Sequence, residues 1–265
     1  MRTSRDARRT VARALEAYAA ELAAERTVQV GGGFTHDAAA NEFIRTRPEA
    51  FLIGVLFTQG VPAERAWAGP ARLRERLGHF DLARLAGEPE QVAEAVARPP
   101  ALHRFVHTLP RWISAAAGRM LAEYGGDARN IWPDGAHVLD VTECLLAFDG
   151  IGEKKAAMAV DLLTRAFGVR LSGVECGTVA YDVHVRRVFL RTGLIDQDTM
   201  VEVDRAAADA CPQAPASLDL PTWLVGRQWC RPRRPDCNTC RLRQACPRLI
   251  GRNAEGVGAR RRSAK

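Results

Sequence analysis

Apolar residues recur along this chain with the spacing of amphipathic helices, and this pattern predicts a nearly all-helical protein. Between residues 5 and 25, Val11, Leu15, Tyr18 and Leu22 fall on one stripe of a predicted helix. The chain lacks the alternation of strands and helices that is typical of doubly wound α/β folds. The other segments with helical patterning are 51–57, 62–77, 88–97, 101–124, 137–148, 153–167 and 183–192.

Clusters of glycine and proline mark the breaks between these segments. Residues 28–36 contain three consecutive glycines, but no Lys-Ser or Lys-Thr pair follows them, as a phosphate-binding P-loop requires. We therefore interpret this stretch as a linker. Gly125-Gly126 and the Pro133-containing turn at 132–135 are further breaks.

The composition is that of an ordinary globular protein, because 47% of the 265 residues are hydrophobic and 26% are charged. No apolar run approaches the roughly 20 residues of a membrane-spanning helix. The basic N-terminal stretch lacks the apolar core of a secretory signal. We therefore expect a bacterial-type cytoplasmic protein with no membrane partner.

Positive charge is concentrated near the C-terminus. The formal net charge is +7, yet residues 227–265 carry twelve Lys or Arg against Asp236 and Glu255, a net of +10. The rest of the chain therefore carries about −3 by subtraction. Such an asymmetry favours a polyanionic partner, although a solvated basic tail would give the same count.

Lysine is rare among the basic residues. Only Lys154, Lys155 and Lys265 are lysines, so the other 35 of the 38 basic residues are arginines. A lysine amine can lose its proton and form a Schiff base, whereas an arginine guanidinium stays protonated. The adjacent pair Lys154-Lys155 is therefore a candidate for covalent chemistry, with chance placement on a solvated helix as the alternative.

Four cysteines form a compact C-x6-C-x2-C-x5-C pattern at Cys230, Cys237, Cys240 and Cys246, with Arg and Pro between them. Two disulfides are one interpretation, but a cytoplasmic location disfavours them. A four-thiolate zinc site is another, although such sites usually combine two closely spaced cysteine pairs. A [4Fe–4S] cluster fits better, since the last cysteine precedes a proline, as in many iron–sulfur sequences.

A glycine-rich turn separates two predicted helices at residues 149–152. Gly150 and Gly152 allow the backbone to turn sharply and to approach another backbone closely. The amides that begin the second helix favour a phosphate group. Further along, Asp182 precedes a predicted helix and occupies the position of an N-cap, which is its alternative role to chemistry.

Together these motifs resemble the helix-hairpin-helix DNA glycosylases of the endonuclease III type. The hairpin 148–156 (FDGIGEKKA), the stretch 181–188 (YDVHVRRV) and the four cysteines occur in that family's order. Leu56-Phe57-Thr58-Gln59 resembles the family's early helix, whose glutamine fills the space left by a flipped base. The resemblance covers roughly residues 48 to 247.

The chain departs from the family pattern at four points. Asp149 replaces the hairpin proline, Lys155 the threonine after the lysine, and Val183 the threonine after the aspartate. About ten extra residues near 171–179 separate the hairpin from the aspartate. These changes bear on substrate identity more than on reaction class. The family's wedge residue has two candidates here, Phe105 and Leu109.

The resemblance implies an all-α fold of two helical domains, one a six-helix barrel-like domain with the helix-hairpin-helix, with the active site in the cleft between them. The expected divisions are 1–47 as an N-terminal helix and linker belonging to the cluster domain, 48–160 as the hairpin domain, 161–250 as the cluster domain and 251–265 as a basic tail. The expected cofactor is a [4Fe–4S] cluster on Cys230, Cys237, Cys240 and Cys246.

The resemblance also implies a repair glycosylase, with AP lyase activity, that acts as a monomer on duplex DNA containing a damaged base or an abasic site. Lys154 would be the nucleophile and Asp182 the catalytic carboxylate, while Lys155 is the rival amine. The expected DNA-binding residues are Gln59, Gly150, Gly152, Lys155, Arg231, Arg233 and Arg234. The alternatives are a monofunctional glycosylase of the adenine-mismatch or alkyl-purine type, in which Asp182 activates water, and a non-catalytic DNA-binding module.

Overall fold

The computed structural model describes residues 3–24 and 34–252, and within these ranges the regular structure is helical, apart from one isolated bridge between His137 and Ser172. The predicted all-α class is confirmed. None of the described helices is both long and apolar enough to cross a bilayer. The linker predicted at 28–36 and the tail predicted at 251–265 lie largely outside the described residues.

The chain divides into two compact units, Arg26–Ser172 and a second that joins Met1–Glu25 to Gly173–Lys265. Each unit has its own hydrophobic core. The α-helices of the first unit are α2 (Ala38–Thr46), α3 (Pro48–Phe57), α4 (Ala63–Trp67), α5 (Gly69–Leu77), α6 (Leu82–Gly87), α7 (Pro89–Ala97), α8 (Thr108–Tyr124), α9 (Val138–Leu146) and α10 (Glu153–Phe167). Those of the second are α1 (Arg5–Ala24), α11 (Val183–Thr192), α12 (Met200–Ala210) and α13 (Asp219–Gln228).

Helix α3 is the centre of the first core. Nine of its ten residues are buried, so it is apolar on all sides and has no solvent face. Phe51 stacks on Trp67 with ring centroids 5.7 Å apart and meets Trp132 edge to face at 5.6 Å. The end of this helix is consequently fixed in position, and the exposed residue Gln59 follows two residues after it.

The second core depends on the N-terminal helix. Val11 and Leu15 of α1 are fully buried and Tyr18 is 7% exposed, which confirms the predicted apolar stripe. These residues pack with Val188 and Phe189 of α11. The N-terminal helix therefore belongs to the same unit as the cysteine loop, although more than 150 residues separate them in sequence.

The unit boundaries differ from the divisions expected at 48 and 161. Helix α2 belongs to the first unit because Phe43 and Ile44 are part of its core. Helix α10 continues without a break to Phe167 and ends at Gly168, which has a left-handed φ of 68°. The division therefore falls after Ser172 and not within this helix.

Two of the predicted helices have different bounds in the structure. The segment predicted at 101–124 is helical only from Thr108, because residues 101–107 form turns in which the His103 ring accepts a bond from the Phe105 amide. The segment predicted at 62–77 is interrupted at Ala68, ahead of Pro70. Proline lacks the amide hydrogen that a continuous helix needs there.

The segment near residues 171–179, which is extra relative to the family pattern, connects the two units along the chain. In the first unit, the guanidinium of Arg170 pairs with Asp134 at 2.8 Å, and the Val138 amide donates to the Ser172 carbonyl at 2.9 Å. In the second unit, a short 3-10 turn (Val174–Cys176) packs against another (Pro215–Leu218). The extra residues are therefore ordered by contacts at both ends.

Gly226 provides a test of the packing between α11 and α13. A Cβ atom at Gly226 would lie 2.8 Å from the His184 carbonyl oxygen, a backbone atom that cannot move aside. We expect Gly226→Ala to lower stability by about 1–3 kcal/mol through overpacking. The thermal unfolding midpoint measures this effect.

Gly118 of α8 is the matched control. A Cβ atom there would meet only the Ala86 side chain, at an ordinary 3.8 Å. Gly118→Ala should therefore leave the midpoint unchanged or raise it, because alanine favours helix more than glycine. Equal midpoints for the two variants would contradict the close contact between α11 and α13.

Candidate active site

The hairpin turn between α9 and α10 requires glycine at its second position. Gly150 has a φ of +83°, in the left-handed region that favours glycine. A Cβ atom there would also lie 2.5 Å from the Trp112 ring. Trp112 of α8 therefore packs directly on the hairpin backbone and fixes the entry of α10.

The start of α10 is suited to an anion. Gly152 is its N-cap, is exposed, and provides no side-chain bond to the amides of the first turn. A Cβ atom at Gly152 would meet nothing within 4 Å, so the space beside the turn is open. The first-turn amides of a helix carry partial positive charge, and a phosphate is a natural acceptor for them.

The two hairpin lysines have opposite environments. Lys154 is exposed on the first turn of α10, whereas Lys155 is only 9% exposed. The Lys155 amine donates to the Leu56 carbonyl at 3.0 Å and lies 5.4 Å from the centroid of the Trp112 ring. Burial, helped by the charge of Lys154, lowers the pKa of Lys155 to about 8.

Gln59 lies in the exposed turn after α3. Its carbonyl is 3.0 Å from the His103 Nε2 atom. The Phe105 amide donates to His103 Nδ1 at 3.1 Å, so Nε2 carries the hydrogen and donates to Gln59. Burial, which here is complete, lowers the pKa of His103 and keeps the ring neutral.

Asp182 is the N-cap of α11, as its position in the sequence predicted. Its carboxylate accepts a bond from the His184 amide at 2.7 Å and the residue is 7% exposed. The start of a helix favours negative charge, so this position suits a carboxylate. The capping hydrogen bond explains why an aspartate stands at this position. A catalytic role would be a second function of the same carboxylate.

The four cysteines of the loop face one cavity. Cys230, Cys237, Cys240 and Cys246 line it together with Val188 and Trp229, among others. All seven cysteines are free, so the structure contains no disulfide. Within the described residues, no group of three or more His, Cys, Asp or Glu side chains has an arrangement that could hold a metal ion.

Two buried arginines of α11 hold this loop, and sequence reasoning missed both. Arg191 is 2% exposed and donates to the carbonyls of Arg231 and Pro232 at 2.7 and 2.8 Å. Arg187 is 3% exposed and donates to the carbonyl of Cys230 at 2.6 Å. Their spacing of four residues on one apolar helix was the available signal, but arginines usually indicate a solvated face.

The cysteine sulfurs are surrounded by N–H donors, which also occur around iron–sulfur clusters. Amides donate to sulfur at Cys240 and Cys246, at 3.4 and 3.3 Å, and the Arg191 guanidinium lies 3.6 Å from the Cys230 sulfur. Hydrogen bonds to sulfur are a normal feature of such clusters. Burial raises the pKa of Cys240 to about 11, and the neighbouring thiols add to this.

The loop arginines are all exposed, but they differ in their partners. Arg231, Arg233 and Arg234 are all exposed, as a DNA-contact role requires. Arg241 instead pairs with Glu21 at 3.3 Å and lies over the Tyr18 ring. Arg241 therefore connects the loop to α1.

The two wedge candidates also differ in exposure. Leu109 is fully buried in the core of the first unit, so it cannot reach a DNA base. Phe105 is half-buried and lies beside Gly60, in the turn that carries Gln59. Phe105 remains the candidate of the two.

The site residues predicted from sequence fall into two sets. The first unit contains Gln59, Gly150, Gly152, Lys154 and Lys155, and the last of these reaches the end of α3. The second unit contains Asp182, the four loop cysteines and the loop arginines, which α11 connects.

Comparison of sequences identifies relatives with known names. The chain is 31% identical to endonuclease III of Haemophilus influenzae over 106 residues, which are 39% of this chain and 45% of that protein. It is 31% identical to endonuclease III of Synechocystis over 106 residues, 40% of this chain and 44% of that protein. The aligned part thus spans less than half the length of these curated relatives. No family model matches the chain.

Comparison of structures extends over most of the chain. An endonuclease III trapped as a covalent intermediate with DNA matches with a TM-score of 0.51 and 20% identity, covering 80% of this chain and 92% of that one. A thermostable thymine-DNA glycosylase matches with a TM-score of 0.56 and 15% identity, covering 78% and 86%. These matches confirm the expected fold and the predicted resemblance, while the cluster stays a prediction.

The buried amine of Lys155 predicts a pH-dependent stability. Its pKa of about 8 lies below the ordinary 10.5, so the folded state penalises the charged amine. The penalty is fully present below pH 8, is about 3 kcal/mol, and disappears as the pH rises toward 10.5. We therefore expect the stability of the wild type, relative to Lys155→Met, to increase between about pH 8 and 10.

Thermal unfolding of both proteins across this pH range measures the difference, because the other titrating groups are common to both. The exposed neighbour gives the control: Lys154→Met should keep most of the rise in stability, because burial of Lys155 is the larger cause of the lowered pKa and the charge of Lys154 the smaller one. If the unfolding midpoints of the wild type and Lys155→Met change with pH in parallel, the Lys155 amine is not desolvated.

Proposed function

We propose that this chain, which has the fold of the helix-hairpin-helix DNA glycosylases, excises a damaged or mismatched base from duplex DNA and then cleaves the strand as an AP lyase. The observation that carries the proposal is the hairpin: a glycine turn, an open helix start and an exposed lysine lie within residues 150–154. The sequence likeness to endonuclease III and the N-cap position of Asp182 support it.

The proposed DNA contacts are of two kinds. The amides at Gly152 and the start of α10 bind a backbone phosphate, because they are exposed and lack a side-chain cap. Arg231, Arg233 and Arg234 contact phosphates from the cysteine loop. Both contacts position the duplex and carry no information about the base.

The target base must leave the helical stack, because its glycosidic bond cannot be reached inside the duplex. Gln59, exposed after α3, fills the space that the base leaves. Breaking the glycosidic bond develops positive charge on the sugar. The carboxylate of Asp182 stabilises that charge and accepts a proton from the attacking amine.

Lys154 is the proposed nucleophile. Its neutral amine attacks C1′ of the sugar, the base departs with the electrons of the glycosidic bond, and the attacking nitrogen loses a proton. The C1′–O4′ bond of the sugar ring then opens, O4′ takes up a proton, and the iminium that remains is the Schiff base. Loss of a proton from C2′ then expels the 3′ phosphate by β-elimination. The exposure of Lys154 supports this assignment, since Lys155 is engaged with the Leu56 carbonyl.

The proposed cofactor is a [4Fe–4S] cluster, which Cys230, Cys237, Cys240 and Cys246 would hold. Its contribution is structural, because it orders a loop that is rich in arginine and poor in apolar residues. The guanidinium of Arg191, 3.6 Å from the Cys230 sulfur, would complement a negatively charged centre. The chemistry of base removal uses only the side chains described above.

Trapping with borohydride on abasic duplex DNA tests the nucleophile. We expect Lys154→Gln and Lys154→Arg to abolish the trapped adduct, since neither side chain provides a neutral amine. Lys155→Gln should keep the adduct, with weaker DNA binding. Asp182→Asn should slow base release about 100-fold or more while lesion binding persists.

The pair of lysine variants decides between mechanisms. If Lys155→Gln loses the trapped adduct and Lys154→Gln keeps it, the nucleophile is Lys155 and not Lys154. If the wild type releases the base but forms no trapped adduct, and the variants form none either, the enzyme is a monofunctional glycosylase in which Asp182 activates water. No base release from any of a panel of lesion-containing duplexes would exclude the glycosylase.

Anaerobic purification tests the cofactor. We expect yellow-brown protein with broad absorbance near about 400 nm and about four irons per chain. Cys237→Ser should lose iron and DNA affinity together, whereas Cys176→Ser, an exposed cysteine outside the loop, should keep both. Colourless protein with one zinc per chain would overturn the cluster.

A further inference from the structure

Two buried polar side chains donate hydrogen bonds to main-chain carbonyls at the turn that carries Gln59. This turn follows α3, whose last-turn carbonyls lack the usual intrahelical partner four residues on. The Val55 carbonyl accepts from the Thr58 amide instead. The Lys155 amine donates to the carbonyl of Leu56, and His103 Nε2 donates to that of Gln59 itself, both at 3.0 Å. Neither donor is a neighbour in sequence, since they come from α10 and from the 101–107 segment.

Lys155 makes this contact across a large separation along the chain. Ninety-nine residues separate it from Leu56, and its side chain passes close to the Trp112 ring, which packs on Gly150. The same first turn of α10 therefore carries the exposed Lys154 and a buried contact to α3. This contact therefore links the hairpin to the end of α3.

His103 holds the other side of the turn. Its ring meets Phe57 edge to face, with centroids 6.0 Å apart, and lies 5.3 Å from the Phe105 ring. Gly60 has a φ of +70°, and a Cβ atom there would lie 3.5 Å from Arg104. The turn is thus enclosed by the 103–105 segment and leaves only Gln59 and Gly60 well exposed.

A buried lysine is a costly means of filling this space. Methionine has nearly the same length and would occupy the site without a charge to desolvate. The lysine is therefore better explained by what its amine holds than by packing.

We propose that Lys155 is a positioning residue that, together with His103, locks the 58–60 turn to the hairpin, so that Gln59 is presented at the space left by the extruded base. The inference rests on the proposed function, because it gives Lys155 a role through Gln59. It assigns the two adjacent lysines separate tasks: Lys154 reacts, and Lys155 fixes the residue that stabilises the opened duplex.

The test uses duplexes with a tetrahydrofuran abasic analogue and an adjacent 2-aminopurine. Wild-type protein should change the 2-aminopurine fluorescence on binding, and Gln59→Ala should lose that change. We expect Lys155→Met and Lys155→Thr to lose it as well and to bind about tenfold more weakly, as when one charge-assisted hydrogen bond is lost. Arg84→Met, which removes a positive charge of the first unit outside the turn and the hairpin, should retain both signals.

A double-mutant cycle separates an effect through Gln59 from general damage. If Lys155 acts through Gln59, then Lys155→Met should cost little further affinity in a Gln59→Ala background. Additive losses, or a full fluorescence change in both Lys155 variants, would overturn the inference. These readouts use binding alone, so failure of the glycosylase proposal would appear separately, as absence of base release and trapping in the wild type.

Discussion

Buried cations that donate to main-chain carbonyls hold the irregular parts of this molecule. Arg187 and Arg191 bind the carbonyls of the cysteine loop, and Lys155 binds the last turn of α3. Arg76 does the same at the surface, where it donates to the carbonyls of Ala95, Arg98 and Pro100. Loops rich in arginine, proline and glycine have little apolar surface to bury, so polar contacts of this kind must order them.

This arrangement also explains part of the composition. A guanidinium has five donors in a fixed fork, so one arginine can bind several carbonyls at once. The excess of arginine over lysine therefore reflects architecture as well as attraction to a polyanion. Arg187 and Arg191, which bind the loop carbonyls, follow Asp182 on α11, so a single helix presents the candidate catalytic carboxylate and organises the cysteine loop.

Local features of the site could be predicted from the sequence, whereas long-range contacts could not. The positive φ of Gly150, the N-cap position of Asp182 and the convergence of four cysteines depend on neighbours within a few residues. The burial of Lys155 depends on a carbonyl 99 residues away, and periodicity does not reveal it. The predicted start of a helix at residue 101 is wrong for a similar reason. Turns around His103 occupy residues 101–107, and the helix begins at Thr108.

The scarcity of lysine has a consequence for selectivity toward aldehydes. The product of base removal is an abasic sugar, whose open form is an aldehyde that condenses with any neutral amine. The exposed cationic residues of the cysteine loop are arginines, which form no Schiff base with it. Among the described residues the amines of lysine occur only on the first turn of α10, so a proposed DNA surface rich in positive charge is inert to its own product everywhere except at the hairpin.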